Sequence, residues 1–142
     1  MGYSHIIVLI TVDSQETAQK IADRLLEERK AACVNIIPKV SSQYWWQGKI
    51  DNADELLLVV KTRAALLDEL IALVKQNHPY DVPEIIALPI VGGNQDYLEW
   101  IDKETLAKPS VKPELPQLLK KVNKSNLRHE IEIGPPTVKE TL

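Results

Sequence analysis

The side chains best able to do chemistry cluster in His78-Pro79-Tyr80-Asp81-Val82-Pro83-Glu84, where an imidazole, a phenol and two carboxylates share a loop stiffened by prolines. Imidazole and carboxylate together suit divalent transition metals, so His78 and Glu84 are candidate ligands, and Tyr80 and Asp81 candidate contacts for a small molecule. A structural account fits the same residues. His78 follows a helix whose C-terminal end favours a cation, and Pro79 and Pro83 set the turn into the next strand.

A second concentration is Tyr44-Trp45-Trp46, just before Gln47-Gly48-Lys49. Adjacent strand residues point to opposite faces, so Trp45 and Trp46 cannot both serve one core, and at least one meets another subunit or a ligand. Tyr44 and Trp46 can wall a cleft. Lys49 and Lys61 flank the same hairpin and either hold an anion or stay solvated at a sheet edge. Trp100, in the last helix of the domain, is a further candidate for a subunit contact. Cys33 lies in the apolar run Ala31-Ala32-Cys33-Val34 and reads as a packed, inert interior thiol, which leaves a Cys33, His78, Asp81 triad little chemical basis.

The usual catalytic signatures are missing: there is no P-loop, GxGxxG, GxSxG, HExxH or CxxC. A non-enzymatic module is therefore expected. The net charge of -3, with Lys and Arg scattered, gives no reason to expect nucleic acid or a membrane as partner. One cysteine cannot make an intrachain disulfide, and the apolar run Ile6 to Ile10 is too short for a signal peptide or a span, so a cytoplasmic location is expected.

These residues need a scaffold, and the hydrophobic pattern supplies one. Ile6 to Val12 is a β-rich apolar run, read as a strand central in its sheet or covered on both faces. Asp13 or Ser14 caps a helix whose Ala18, Ile21, Ala22, Leu25 and Leu26 repeat at core-facing spacing. Ala32 to Tyr44 is a strand that Pro38 must bend, bulge or confine to an edge. Gly48 closes a hairpin with unusually long arms, and the return strand runs through Glu55 to Lys61. Thr62 is expected to cap a second helix with Leu66, Leu67, Leu70, Ile71 and Val74 on one face, ending at His78-Pro79. Glu84 to Ile90 is the last strand, and Asn94 caps a third helix.

The order strand, helix, strand, strand, helix, strand is the split βαβ of an α+β, ferredoxin-like sandwich, here with an extra C-terminal helix over residues 1–107. Helices of that arrangement cover one sheet face, so the apolar opposite face invites another subunit. Residues 108–142 differ in composition. Pro109, Pro113 and Pro116 make a proline-spaced arm able to recruit a partner, Leu118, Leu119 and Val122 suit a short helical turn, and Leu127, His129, Ile131 and Ile133 alternate as in an edge strand.

Five segments together resemble the divalent-cation tolerance protein CutA family over about residues 4 to 104: Ala31 to Pro38, Tyr44 to Lys49, Lys61-Thr62, His78-Pro79-Tyr80 with Pro83-Glu84-Ile85, and Tyr97-Leu98-Glu99-Trp100. The resemblance implies a tight homotrimer built through long hairpins, similar to the PII-type signalling proteins, and a cytoplasmic protein of metal tolerance that binds copper or another divalent cation. Family members with proposed copper ligands carry a cysteine near the end of the first strand and two histidines before Pro-Tyr. Here Ile10 and Thr11 stand at the first place and Asn77-His78 at the second, so His78 alone carries over. Cys33 matches a cysteine common in the family and joins His78 and Glu84 as a candidate ligand. Two other roles stay open: a sensor of a small molecule or anion in clefts between subunits, and an assembly scaffold.

Overall fold

The computed structural model describes residues 3–108, so the expected helical turn and edge strand of the arm lie outside the described residues. Four strands and three helices follow one another as β1 (His5–Val12), α1 (Gln15–Glu27), β2 (Cys33–Trp46), β3 (Lys49–Arg63), α2 (Leu67–Asn77), β4 (Ile85–Pro89) and α3 (Gln95–Leu106). The strands form one antiparallel sheet in the order β2-β3-β1-β4, which is the ferredoxin-like arrangement. Among the described residues, no helix is long and apolar enough to cross a membrane.

The core lies between one sheet face and helices α1 and α2. Ile6, Val8, Ile10 and Val12 of β1 and Leu56, Leu58 and Val60 of β3 point into it, where they meet Ile21, Leu25, Leu70 and Val74. The β1 run thus splits by its two-residue period, and Ile7 and Leu9 lie half-buried on the second face. That face is apolar over its middle yet open, with Ile37, Ile86 and Leu88 all exposed on it. Helix α3 ties to one end only, through His5 Nε2 to Asp102 at 2.8 Å, Arg29 to Glu104 at 2.9 Å and Arg63 Nε donating to Thr105 Oγ1 at 2.8 Å.

The caps follow side-chain chemistry, with one exception. Ser14 accepts from the Thr17 amide and Asn94 from the Asp96 amide. Thr62 does not cap α2. It belongs to β3, is fully buried, and donates its hydroxyl to the Lys30 carbonyl at 2.7 Å, while a 3-10 turn over Ala64–Leu66 leads into α2 without a side-chain cap. Register explains this: Thr62 pairs with Ile6 on the helix-covered face, where its hydroxyl satisfies an otherwise orphaned carbonyl.

The hairpin is longer than its apolar segments alone suggest, because β3 starts at Lys49 rather than near Glu55. At Pro38 the register with β3 slips between Ile37 and Val40, so β2 bulges by one residue where proline cannot donate to the ladder. Beyond that point β1 has ended, at the Val12 to Leu56 pair, and residues 41–54 continue as a bare two-stranded ribbon. Its turn places both Gln47 (φ 50°) and Gly48 (φ 79°) in the left-handed region. Such two-residue turns match the twist of the arms, but an L-residue other than Gly or Asn is penalised there by roughly 1–2 kcal/mol. Gln47→Asn is therefore expected to stabilise the protein by about 0.5–1 kcal/mol in chemical unfolding, and Gly48→Ala to destabilise it by about 1–2 kcal/mol.

Candidate functional site

Where α2 stops, the chain turns back under the base of the ribbon. Asn77 closes the helix by donating its side-chain amide to the Leu73 carbonyl at 2.8 Å, and Pro79 forces His78 into an extended conformation. The His78 ring then sits almost wholly buried against the end of β1. Its Nε2 lies 2.8 Å from the Thr11 carbonyl, and its Nδ1 accepts the Tyr80 amide at 3.1 Å. These partners assign the tautomer with the proton on Nε2. Both ring nitrogens are thus committed to main-chain groups, and the imidazole fixes the loop to β1.

Tyr80 packs against that ring, with centroids 4.7 Å apart, and reaches across to donate its hydroxyl to Glu55 Oε2 at 3.0 Å. Glu55 is a carboxylate only 8% exposed, at the β3 position opposite Val40 where the ribbon leaves the sheet. Burial of the ring, then the hydrogen bond to Glu55 and the charges of Glu55 and Asp13, push the Tyr80 phenol up to about 12. Tyr97, on α3, is also pushed up to about 12, by burial first and then by Cys33.

Between the ribbon and the 79–84 loop lies a cleft of about 890 Å³. Tyr44, Trp46 and Tyr80 give it aromatic walls, and Asp51, Glu55, Asp81 and Glu84 give it negative charge. Five residues singled out in the sequence therefore meet there: Tyr44, Trp46, Tyr80, Asp81 and Glu84. The lysines do not. Lys49 is at the ribbon tip opposite Trp46, and Lys61 is at the far end of the sheet, hydrogen-bonded to Asn35 and 4.0 Å from the Cys33 thiol. No Lys or Arg lines the cleft, so in one chain it is electrostatically unsuited to an anion.

Cys33 is not core. Val34 and Ile36 take the core-facing positions, so Cys33 and Asn35 point to the second face, where the thiol is half-buried beside Lys61 and Tyr97. His78 lies at the opposite end of β1. Among the described residues, no group of three His, Cys, Asp or Glu side chains could hold a metal ion, so His78, Glu84 and Cys33 do not fit a metal centre within one chain. Trp45 is 74% exposed and pairs across the ribbon with exposed Ile50, whereas Trp100 is half-buried beside Tyr97.

Sequence reasoning missed Glu55, Asp51 and Thr11. The signal for the two acids was Asp51-Asn52-Ala53-Asp54-Glu55, whose low β-propensity conceals the first part of β3. Thr11 contributes a carbonyl to His78, a role no side chain advertises.

Residues 6–104 match the family model described as CutA1 divalent ion tolerance protein. The divalent-cation tolerance protein CutA of Thermus thermophilus is 54% identical over 99 residues, covering 70% of this chain and 96% of that one. The chloroplastic CutA 1 protein of Oryza sativa subsp. japonica is 52% identical over 100 residues, covering 70% of this chain and 56% of the relative, so the match spans little more than half of the plant protein. The structure of the periplasmic divalent cation tolerance protein CutA from Archaeoglobus fulgidus superposes with a TM-score of 0.70 at 44% identity, covering 71% of this chain and 98% of that one.

Two outcomes follow from the site geometry. His78→Ala leaves the Thr11 carbonyl and Tyr80 amide without their partner and is expected to cost about 1–3 kcal/mol in thermal unfolding with or without metal. For Tyr80, the folded state holds the phenolic proton more tightly than the unfolded chain, so its contribution to stability is full below about pH 10 and is lost as pH rises towards about 12. Absorbance titration at alkaline pH is expected to show Tyr80 ionising late, and earlier in Glu55→Gln, with burial keeping part of the elevation.

Proposed function

The chain belongs to the CutA1 divalent ion tolerance family, and from that premise we propose that it acts as a homotrimeric, non-enzymatic protein of divalent-cation tolerance in the cytoplasm. The observation that best supports assembly is the bare ribbon of residues 41–54, which exposes Trp45, Trp46 and Ile50 beyond the edge of the sheet. An isolated two-stranded ribbon is at best marginally stable in water, and exposed Trp is the residue type most enriched where subunits meet. The open second face with Ile37, Ile86 and Leu88 supports the same conclusion. Half-buried Trp100 stands as a contact through α3.

Copper or another divalent cation is the proposed cargo. Its ligands must come from more than one protomer, with Glu84 and Asp81 at the cleft mouth better placed than Cys33, and with His78 contributing only by giving up a main-chain bond. A second role, as a small-molecule sensor, is favoured by the volume and aromatic walls of the cleft. Its carboxylates select a cationic or neutral ligand unless a neighbouring protomer supplies Lys49 or Lys61.

Light scattering coupled to size exclusion is expected to give three times the 16.0 kDa chain mass, and the double substitution Trp45→Glu with Ile50→Glu to shift it towards one chain. A single-chain mass for the unsubstituted protein would sink the trimer. Calorimetric titration with copper and zinc is expected to show binding in about the micromolar range or tighter. If neither ion binds while an amine or nucleotide changes Trp fluorescence, the sensor role replaces metal ligation.

A further inference from the structure

The charge of the chain is unevenly divided. Residues 1–107 hold 10 Lys and Arg against 16 Asp and Glu, while residues 108–142 hold seven against four, so the net -3 separates into a body of -6 and an arm of +3. The basic side chains of the arm are concentrated: Lys120, Lys121, Lys124 and Arg128 fall within nine residues, interleaved with Leu118, Leu119 and Val122. The cleft beneath the ribbon has the complementary composition. Asp51, Glu55, Asp81 and Glu84 line it beside Tyr44, Trp46 and Tyr80, and among the described residues none of the four carboxylates is in an ion pair.

Reach permits the two to meet. Thr105, one residue before the end of α3, is held at Arg63, and Glu55 lies eight residues back along β3, about 26 Å away at the rise of a strand. The 13 residues from Ala107 to Lys120 span at most roughly 45 Å, enough to cover that distance along the surface.

We propose that residues 117–128 of the chain's own C-terminal arm occupy this cleft, with the lysines and Arg128 on the carboxylates and the leucines against the aromatic walls. A cation bound at Asp81 and Glu84 would compete with the arm, so the occupancy is read in metal-free protein. Because the pairing is between partly exposed charges, it weakens with salt.

The test is zero-length carbodiimide cross-linking of the full chain, prepared from light and heavy-isotope protein unfolded and refolded together, and read by mass spectrometry. Lys120, Lys121 and Lys124 are expected to join Asp51, Asp81 or Glu84 within peptides of one isotope, about fivefold or more in excess over Asp23, Glu27 or Asp68 on the helices. Raising NaCl from about 0.05 M to about 0.5 M is expected to remove most of these products. In the full-length variant K120E/K121E/K124E/R128E, amide exchange over residues 79–84 is expected to accelerate. Absent cross-links, cross-links spread evenly over the acids of the body, or predominantly mixed-isotope products would each overturn the proposal, the last by assigning the arm to a neighbouring copy.

Discussion

Everything outside the helix-covered core depends on one mismatch: the β2–β3 hairpin is longer than the sheet that supports it. β1 reaches only to the pair Val12 and Leu56, so the outer arms have no third strand and no helix beneath them. A ribbon of this kind lacks enough buried apolar area to hold itself against its own conformational entropy. Its exposed tryptophans and isoleucine are therefore unsatisfied surface in a single chain. The cleft arises from the same mismatch, because the 79–84 loop folds under the place where the ribbon leaves the sheet.

The loop holds its position through the polar contacts of His78 and Tyr80 together with the packing of their rings on each other. His78 links the Thr11 carbonyl to the Tyr80 amide, and Tyr80 passes that fixation to Glu55 on the hairpin. A side chain that looks like a ligand in the sequence is in the structure a brace between the end of β1 and the loop. What remains at the surface for chemistry is a set of carboxylates and aromatic rings. That set favours cations or neutral ring systems, and it places negative charge where the sequence suggested lysines.

Much of the fold was legible because period and punctuation agree. Helices α1 and α2 announce themselves by their apolar stripes, Ser14 and Asn94 by their capping chemistry, the bulge by Pro38 and the turn by Gly48. The failures share a cause, which is register. Whether Cys33 faces the core, whether Thr62 caps a helix or satisfies a carbonyl, and whether Lys61 reaches the cleft each depend on which strand partner and which face a residue receives. A shift of one residue inverts the answer for Cys33 and Thr62, whereas Lys61 is kept from the cleft by its distance along β3, and local composition carries neither kind of information. The acidic start of β3 was hidden for a related reason, since its pairing with β2 overrides a weak intrinsic preference.

The first strand is also the most dependent on residues that follow it. β1 lies inside the sheet between β3 and β4, so its ladder partners, Leu56 to Arg63 and Ile85 to Pro89, are synthesised between 44 and 83 residues later, and His5 meets Asp102 later still. On a ribosome the long hairpin can zip as soon as its turn emerges, whereas Ile6 to Val12 must wait, unpaired and strongly apolar, for most of the domain to appear. The interval between translation of β1 and its capture by β3 is thus a period in which a nascent chain exposes an unpaired apolar strand, and the time taken to translate residues 13–63 sets its length.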